Sequence, residues 1–317
     1  MRALAIGNFD GVHRGHVTLF ERAQRLAAQD GLIAAALTFE PHPADVVAAR
    51  SAATSLGAAP LRPIRRLTGP ARKRHLLEQL APEVWAEAFT DEVSRESPEE
   101  FVRRLLVERL QVKHLVVGEN FRFGHKRAGD LEVLRALGER YGFAVHPLGM
   151  QSDATGVLSS SRARELVQTG QAEAATHVLG HYHAVFGEVM HGDKRGRTLG
   201  VPTANLLQSA EMFPGRGIYA VLVGKGGPEG RLTRYATGVA SVGTRPTIDP
   251  NATQESIEVH LFDRDEDLYG QTLGVAFVTK LRDELRFDSL DALTTQMQLD
   301  IQQAKDHLRD ISDDLLR

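Results

Sequence analysis

The chain has 317 residues, 42% of them hydrophobic and 25% charged, with a formal net charge of −3. It is long enough for two ordinary globular domains, and its interspersed acids and bases argue against a general nucleic-acid or membrane-surface binder. Cysteine is absent, which excludes disulfides, thiolate metal sites and cysteine nucleophiles; the N-terminal MRALAIGNFD is too short for a signal peptide, so a cytoplasmic setting is expected.

Short apolar runs alternate with helical patterns up to about residue 180. ALAIG (3–7) leads into a helix over 16–29, with Phe20, Ala23 and Ala27 on one face and Asp30-Gly31 as its stop. LIAAALTF (32–39) reads as a buried parallel strand ending at Pro41. The alanine-rich 44–63 reads as a long irregular loop, a potential flap. Thr68 is a candidate N-cap for a helix through Leu80, and Ser97-Pro98 with Glu100 forms a capping box for a helix over 98–109. A strand at 114–118, a helix over about 130–141, a strand at 143–148 and two short helices flanking Gly170 follow. This alternation predicts an α/β domain, a doubly wound parallel sheet covered on both faces, over 1–182.

From 183 to 317 the pattern changes. HAVFGEVMHG, GIYAVLVGKG, YATGVASVG, SIEVHLFD and LGVAFVTKL are short runs bounded by glycine or charged turns, with no helix between them. They predict an all-β antiparallel barrel. A terminal helix closes the chain, with Leu290, Leu293, Met297, Ile301, Ala304 and Leu308 at helical spacing behind a Ser289 cap.

The first candidate chemistry is GNFDGVHRGH (7–16). His13 and His16 could be half a metal site, phosphate ligands or solvated residues of a tight turn. Zinc needs further ligands, and neither cysteine nor an HExxH pattern supplies them. Phosphate has a physical basis: a glycine-rich turn that opens a helix presents free N–H groups and a positive dipole end to an anion. No Walker A or GxGxxG pattern occurs. In SIEVHLF the alternation puts Ile257, Val259 and Leu261 on one face, and Glu258 with His260 on the other.

Taken with its context, GNFDGVHRGH resembles the nucleotidyltransferase signature of bacterial bifunctional riboflavin kinase/FMN adenylyltransferases. TFEPHP (38–43), RLT (66–68), VVGENFRFGHKRAGD (116–130) and LSSSRAR (158–164) continue the likeness in order. GDKRGRTLGVPTANL (192–206), GVASVGTRPT (238–247), IEVHLFDRDEDLYG (257–270) and LRDELRFDSLDAL (281–293) extend it through the second half. The resemblance implies phosphorylation of riboflavin by ATP to FMN, then adenylylation of FMN by ATP to FAD with release of pyrophosphate. It assigns His13 and His16 to the reacting phosphates in adenylyl transfer, with Gly7, Asn8 and Gly15 shaping their turn. Asn120 matches a nucleotide or flavin contact, and Ser159, Ser160, Ser161 and Arg164 match an ATP-phosphate motif in which Leu158 and Ser161 replace the usual Ile and Thr. In the kinase half it implies a glycine loop including Gly200, Mg²⁺ and phosphate contacts at Thr203 and Asn205, and Glu258 as general base, with Glu255 close by. Arg245 is a lesser flavin or nucleotide contact, and Val201 replaces the commoner Phe. The alternatives are a kinase alone on a degenerate first domain, and a non-catalytic flavin- or nucleic-acid-binding protein.

Overall fold

β1 (Arg2–Ile6) turns Ala3 and Ala5 to one layer and Leu4 and Ile6 to the other, each at most 2% exposed. This two-sided burial is what a central parallel strand requires. The computed structural model describes residues 1–54, 64–191, 201–206, 209–246, 253–264 and 266–317, with the backbone alone at 52–54, 245–246 and 253–254. The chain divides into two compact units, Met1–Arg65 with Leu76–Ser159, and Arg66–His75 with Ser160–Arg317.

In the first unit β1 is flanked by β2 (Ile33–Glu40) and β4 (Val112–Gly118). β3 (Glu83–Ala88) and β5 (Ala144–Leu148) form the edges, giving the all-parallel order β3-β2-β1-β4-β5. α1 (Arg14–Asp30) covers the Ala3/Ala5 face with Leu19, Phe20, Ala23, Leu26 and Ala27. It stops at Gly31, whose φ of 63° suits a residue without a side chain. α4 (Pro98–Phe101) opens on the expected capping box and continues with π-helical hydrogen bonding over Val102–Arg109. Together with α5 (Leu131–Tyr141) it covers the Leu4/Ile6 face.

Two expectations are corrected here. Of the loop expected at 44–63, residues 44–54 belong to helix α2 (Pro43–Thr54), because alanine is the strongest helix former and the run offers no breaker; 55–63 lies outside the described residues. α3 (Pro70–Glu78) starts after Gly69, with proline in its first turn, so Thr68 is not its cap.

In the second unit α6 (Ser160–Gln168) and α7 (Ala172–Leu179) precede a six-stranded antiparallel sheet. Its strands are β8 (Ala184–Glu188), β9 (Ala204–Leu206), β10 (Gly217–Lys225), β11 (Arg234–Pro246), β12 (Thr253–Leu261) and β13 (Thr272–Arg282). The order β8-β13-β10-β11-β12-β9 leaves β8 and β9 at the edges. Just beyond β8, the Met190 N–H donates to the Asn205 carbonyl at 2.9 Å, so a single bridge closes the ring. Tyr219, Val221, Ile257, Val259, Val275 and Phe277 fill one side of the sheet. Ala220, Leu222, Ala276 and Val278 on the other side meet Ala304 and Leu308 of the terminal helix α8 (Leu290–Leu308). The Ser289 side chain caps α8, accepting from the Ala292 N–H at 3.1 Å.

Two candidate active sites

The strand order of the first unit sets its site. From β1 the chain moves to β2 on one side, and it later returns to place β4 on the other. The loops leaving β1 and β4 therefore part at the carboxyl edge, where open α/β sheets bind their ligands. The loop from β1 carries Gly7, Asn8, His13, Gly15 and His16, and the loop from β4 carries Asn120, which is exposed.

The β1 loop is tightly wound, with left-handed φ at Phe9 (50°), Gly11 (80°) and Val12 (40°). The Asn8 carbonyl accepts from the Thr38 hydroxyl at 3.1 Å, and the Gly7 N–H donates to Leu37 at 3.1 Å, so β2 holds the turn. His13 occupies the cap position of α1, its ring stacked on His16 with centroids 3.5 Å apart and planes 23° from parallel. Phe9 meets the His16 ring edge-on at 5.1 Å. His13 is buried, and Nδ1 of both rings is shielded from solvent. Gly15 has no room for a side chain, since a Cβ would stand 2.8 Å from the Leu158 carbonyl and 3.1 Å from the His13 ring. That contact also brings the residue preceding Ser159 against the start of α1. Two aromatic nitrogen bases at the positive end of a 17-residue helix can donate to an anion as its charge grows. Among the described residues no group of three or more His, Asp or Glu side chains converges to hold a metal ion.

Ser160, Ser161 and Arg164 lie on α6 and fall in the second compact unit. Ser160 and Arg164 stand one turn apart on the same helix face, and Ser161 is exposed.

The second unit contains a cavity of about 300 Å³ lined on the barrel side by Val201, Thr203, Ser241, Glu258 and His260. The alternation expected of β12 holds: Ile257 and Val259 are fully buried, and Glu258 and His260 face the cavity. Glu258 pairs in register with Asn205 of β9 and with Ser241 of β11. Asn205 is 4% exposed, and its side-chain N–H donates to the Thr203 carbonyl at 3.4 Å. His260 shares its Nδ1 with the Pro202 carbonyl at 2.9 Å, tying the chain before β9 to β12. Glu255 is exposed and absent from the cavity lining, so of the two carboxylates the cavity takes Glu258. Arg245 lies on β11 opposite Gln254, while Gly200 is outside the described residues. The opposite wall is formed by Arg282, Phe287, Leu293, Met297 and Asp300, none of which the sequence assigned to a site.

A doubly wound α/β unit with a histidine-bearing turn at the start of its first helix, followed by a β-barrel with a carboxylate in its cavity, defines the class of a two-site enzyme. A family model for FAD synthetase matches residues 1–162, and one for riboflavin kinase matches 179–308. The chain is 36% identical to the bifunctional riboflavin kinase/FMN adenylyltransferase of Haemophilus influenzae, over 96% of this chain and 93% of that protein. It is also 36% identical to the enzyme of that name from Escherichia coli K12, over 94% and 90%. A solved structure described as a macrolide-efflux protein from Streptococcus pneumoniae superposes with TM-score 0.80 at 28% identity, over 98% of this chain and 94% of that one. No helix among the described residues is long and apolar enough to cross a membrane.

The chain belongs to the bifunctional riboflavin kinase/FMN adenylyltransferase family. It is an enzyme carrying both modules, and a kinase working on a degenerate first domain is not favoured.

Proposed function

We infer that the two reactions run at the two sites just described, with residues 1–182 as the adenylyltransferase and 183–317 as the kinase. In the kinase, riboflavin occupies the barrel cavity with its 5′-hydroxyl at Glu258. Glu258 takes the hydroxyl proton as the oxygen attacks the γ-phosphorus of ATP, and ADP leaves. The register of Glu258 with Asn205, above a cavity that Thr203 also lines, is the observation that carries this reading. A hydroxyl and an amide oxygen suit a hard cation, so Thr203 and Asn205 would hold the Mg²⁺ that accompanies ATP. Bound there, Mg²⁺ supplies charge neutralisation for the phosphates. Gly200 and Arg245 are proposed as nucleotide or flavin contacts.

In the adenylyltransferase, a phosphate oxygen of FMN attacks the α-phosphorus of ATP and pyrophosphate leaves. No covalent intermediate is required, so positioning and charge stabilisation do the catalysis. His13 and His16 donate to the reacting phosphates, Gly7, Asn8 and Gly15 keep the turn in shape, and Asn120 contacts nucleotide or flavin. Ser159, Ser160, Ser161 and Arg164 hold the ATP phosphates, a role suited to arginine's fork of donors. The enzyme is placed in the cytoplasm, in keeping with a cysteine-free, ATP-dependent chain, and no nucleic-acid partner enters the scheme. The test is chromatography of products with ATP and Mg²⁺, starting from riboflavin in one run and FMN in another. FAD is expected from both, and no FAD from FMN would overturn the assignment.

A further inference from the structure

The far wall of the barrel cavity is anchored differently from the rest of the second unit. α8 has three buried residues, Asp300, Ala304 and Leu308, spaced four apart. Ala304 and Leu308 sit in an apolar cluster with Tyr182, Ala184, Phe186 and Leu222, so ordinary burial holds the C-terminal half of the helix. The N-terminal half has no buried residue before Asp300, and its Leu293 and Met297 face the cavity instead. Asp300 is therefore the last buried anchor before the helix reaches out over that space.

The anchor is ionic. Asp300 accepts from Arg282 Nε at 2.8 Å and Nη2 at 2.6 Å, and from Gln296 Nε2 at 2.9 Å. Arg282 ends β13, and its Nη1 donates to the Asp283 carbonyl at 2.8 Å. The two side chains are 18% and 5% exposed. A buried ion pair adds little net stability over apolar residues of equal volume, but the bidentate fork fixes distance and angle. Both partners line the cavity, as does Phe287 on the segment between β13 and α8, 6.0 Å from the Arg282 guanidinium.

The geometry points to the Arg282–Asp300 pair as a positioning device of the kinase site. It sets the distance between the N-terminal half of α8 and the barrel mouth, and so the slot into which the flavin ring fits. The inference rests on the reading that riboflavin occupies this cavity. Neither residue touches the phosphates or the transferred proton; they act through Phe287, Leu293 and Met297.

The test is steady-state kinetics of the full-length enzyme. Asp300→Asn is expected to raise KM for riboflavin about tenfold, with kcat and KM for ATP within about twofold, because uniform ground-state binding is what a misplaced wall loses. Arg282→Lys keeps the charge without the fork and should fall between wild type and Asp300→Asn. FMN-to-FAD conversion and the thermal melt report whether the chain is folded. If Asp300→Asn fails to fold, Arg282→Lys and Gln296→Ala decide by the same KM-against-kcat split. Loss of stability with unchanged riboflavin KM, or equal losses for riboflavin and ATP, would overturn the positioning role. Met297→Trp separates the two readings by filling the cavity. If it leaves riboflavin KM unchanged, the cavity assignment itself fails. If it raises KM while the ion-pair variants do not, the cavity stands and the positioning role falls.

Discussion

Glu258 of β12 lies directly opposite Asn205 of β9 in an antiparallel ladder, and β9 is also the strand that closes the barrel through Met190. The proposed base and the proposed metal and phosphate residue thus face each other across the β12–β9 ladder. Glu258→Gln keeps the shape of the side chain but cannot accept the hydroxyl proton. Riboflavin phosphorylation is expected to fall by about 10²–10⁴-fold, the usual range for loss of general base catalysis. FMN-to-FAD conversion should stay within about twofold, the tolerance of such a kinetic comparison. Product chromatography from riboflavin and from FMN reads both, and parallel losses would contradict the separation of sites.

The converse variant is Gly15→Ala in the first unit. Its Cβ would meet the Leu158 carbonyl and the His13 ring, both fixed by their surroundings, so the start of α1 must shift. FAD formation from FMN should drop by about 10²-fold or more, since misplacement of about 1 Å has that effect on an oriented reaction. His16→Ala should abolish it. Riboflavin phosphorylation should persist in both variants, and its loss in His16→Ala would show that the histidine turn serves both reactions.

The parts of this molecule legible in sequence were those where one local rule dominated. Period-two burial gave β12 and the cavity-facing Glu258, capping chemistry gave the starts of α4 and α8, and strand-helix alternation gave the parallel sheet. β3 (EVWAEA) escaped because it is an edge strand in which Glu83 and Glu87 enclose an apolar run of only three residues, with no period-two alternation. β9 escaped because three residues within a signature loop have no periodicity to read. Asp300 was visible in hindsight as a carboxylate inside the stripe Leu293, Met297, Ala304 and Leu308, but its partner Arg282 lies on another element. Only tertiary structure joins them. The order of motifs carried the functional reading further than any single residue did.

A pH dependence follows from His146 on β5, whose Nε2 lies 3.0 Å from Nδ1 of His114, itself 2.6 Å from an Asp30 carboxylate oxygen. Burial lowers the His146 pKa below its ordinary 6.5, with His114 and Arg22 adding positive charge that acts in the same direction. The folded state thus prefers the neutral ring. Its contribution is present above the unfolded value of 6.5 and is lost as pH falls towards the lower folded value. Urea melts at about pH 7.5 and about pH 5 should show a drop in stability on acidification that His146→Gln reduces. An identical drop in the variant would remove His146 as its source.

Arg72 argues that residues 183–317 are not the whole folding unit of the barrel. It belongs to the segment Arg66–His75 of the second compact unit and is 3% exposed. Its guanidinium stands 5.0 Å over the Phe186 ring and donates to the carbonyls of Gly230 and Arg317. Burial brings its pKa down to about 10, with Glu211 opposing the shift, so the residue stays charged at neutral pH and needs these acceptors. Nearby, the buried Glu211 accepts from the Gly69 N–H at 3.0 Å and the Ser209 hydroxyl at 2.6 Å. Arg72→Ala strips the Phe186 ring of its cation and removes the charged donor to the main-chain oxygens of the exposed Gly230 and the half-buried Arg317, a loss of about 1.5–3 kcal/mol. The measurement is riboflavin kinase activity remaining across a urea series, which reads this unit without assuming two-state unfolding of the whole chain. The midpoint should fall in Arg72→Ala and fall further in a fragment of residues 160–317, which keeps α6 and α7 but lacks the segment entirely. A fragment as stable as the full chain would show that the barrel folds without it.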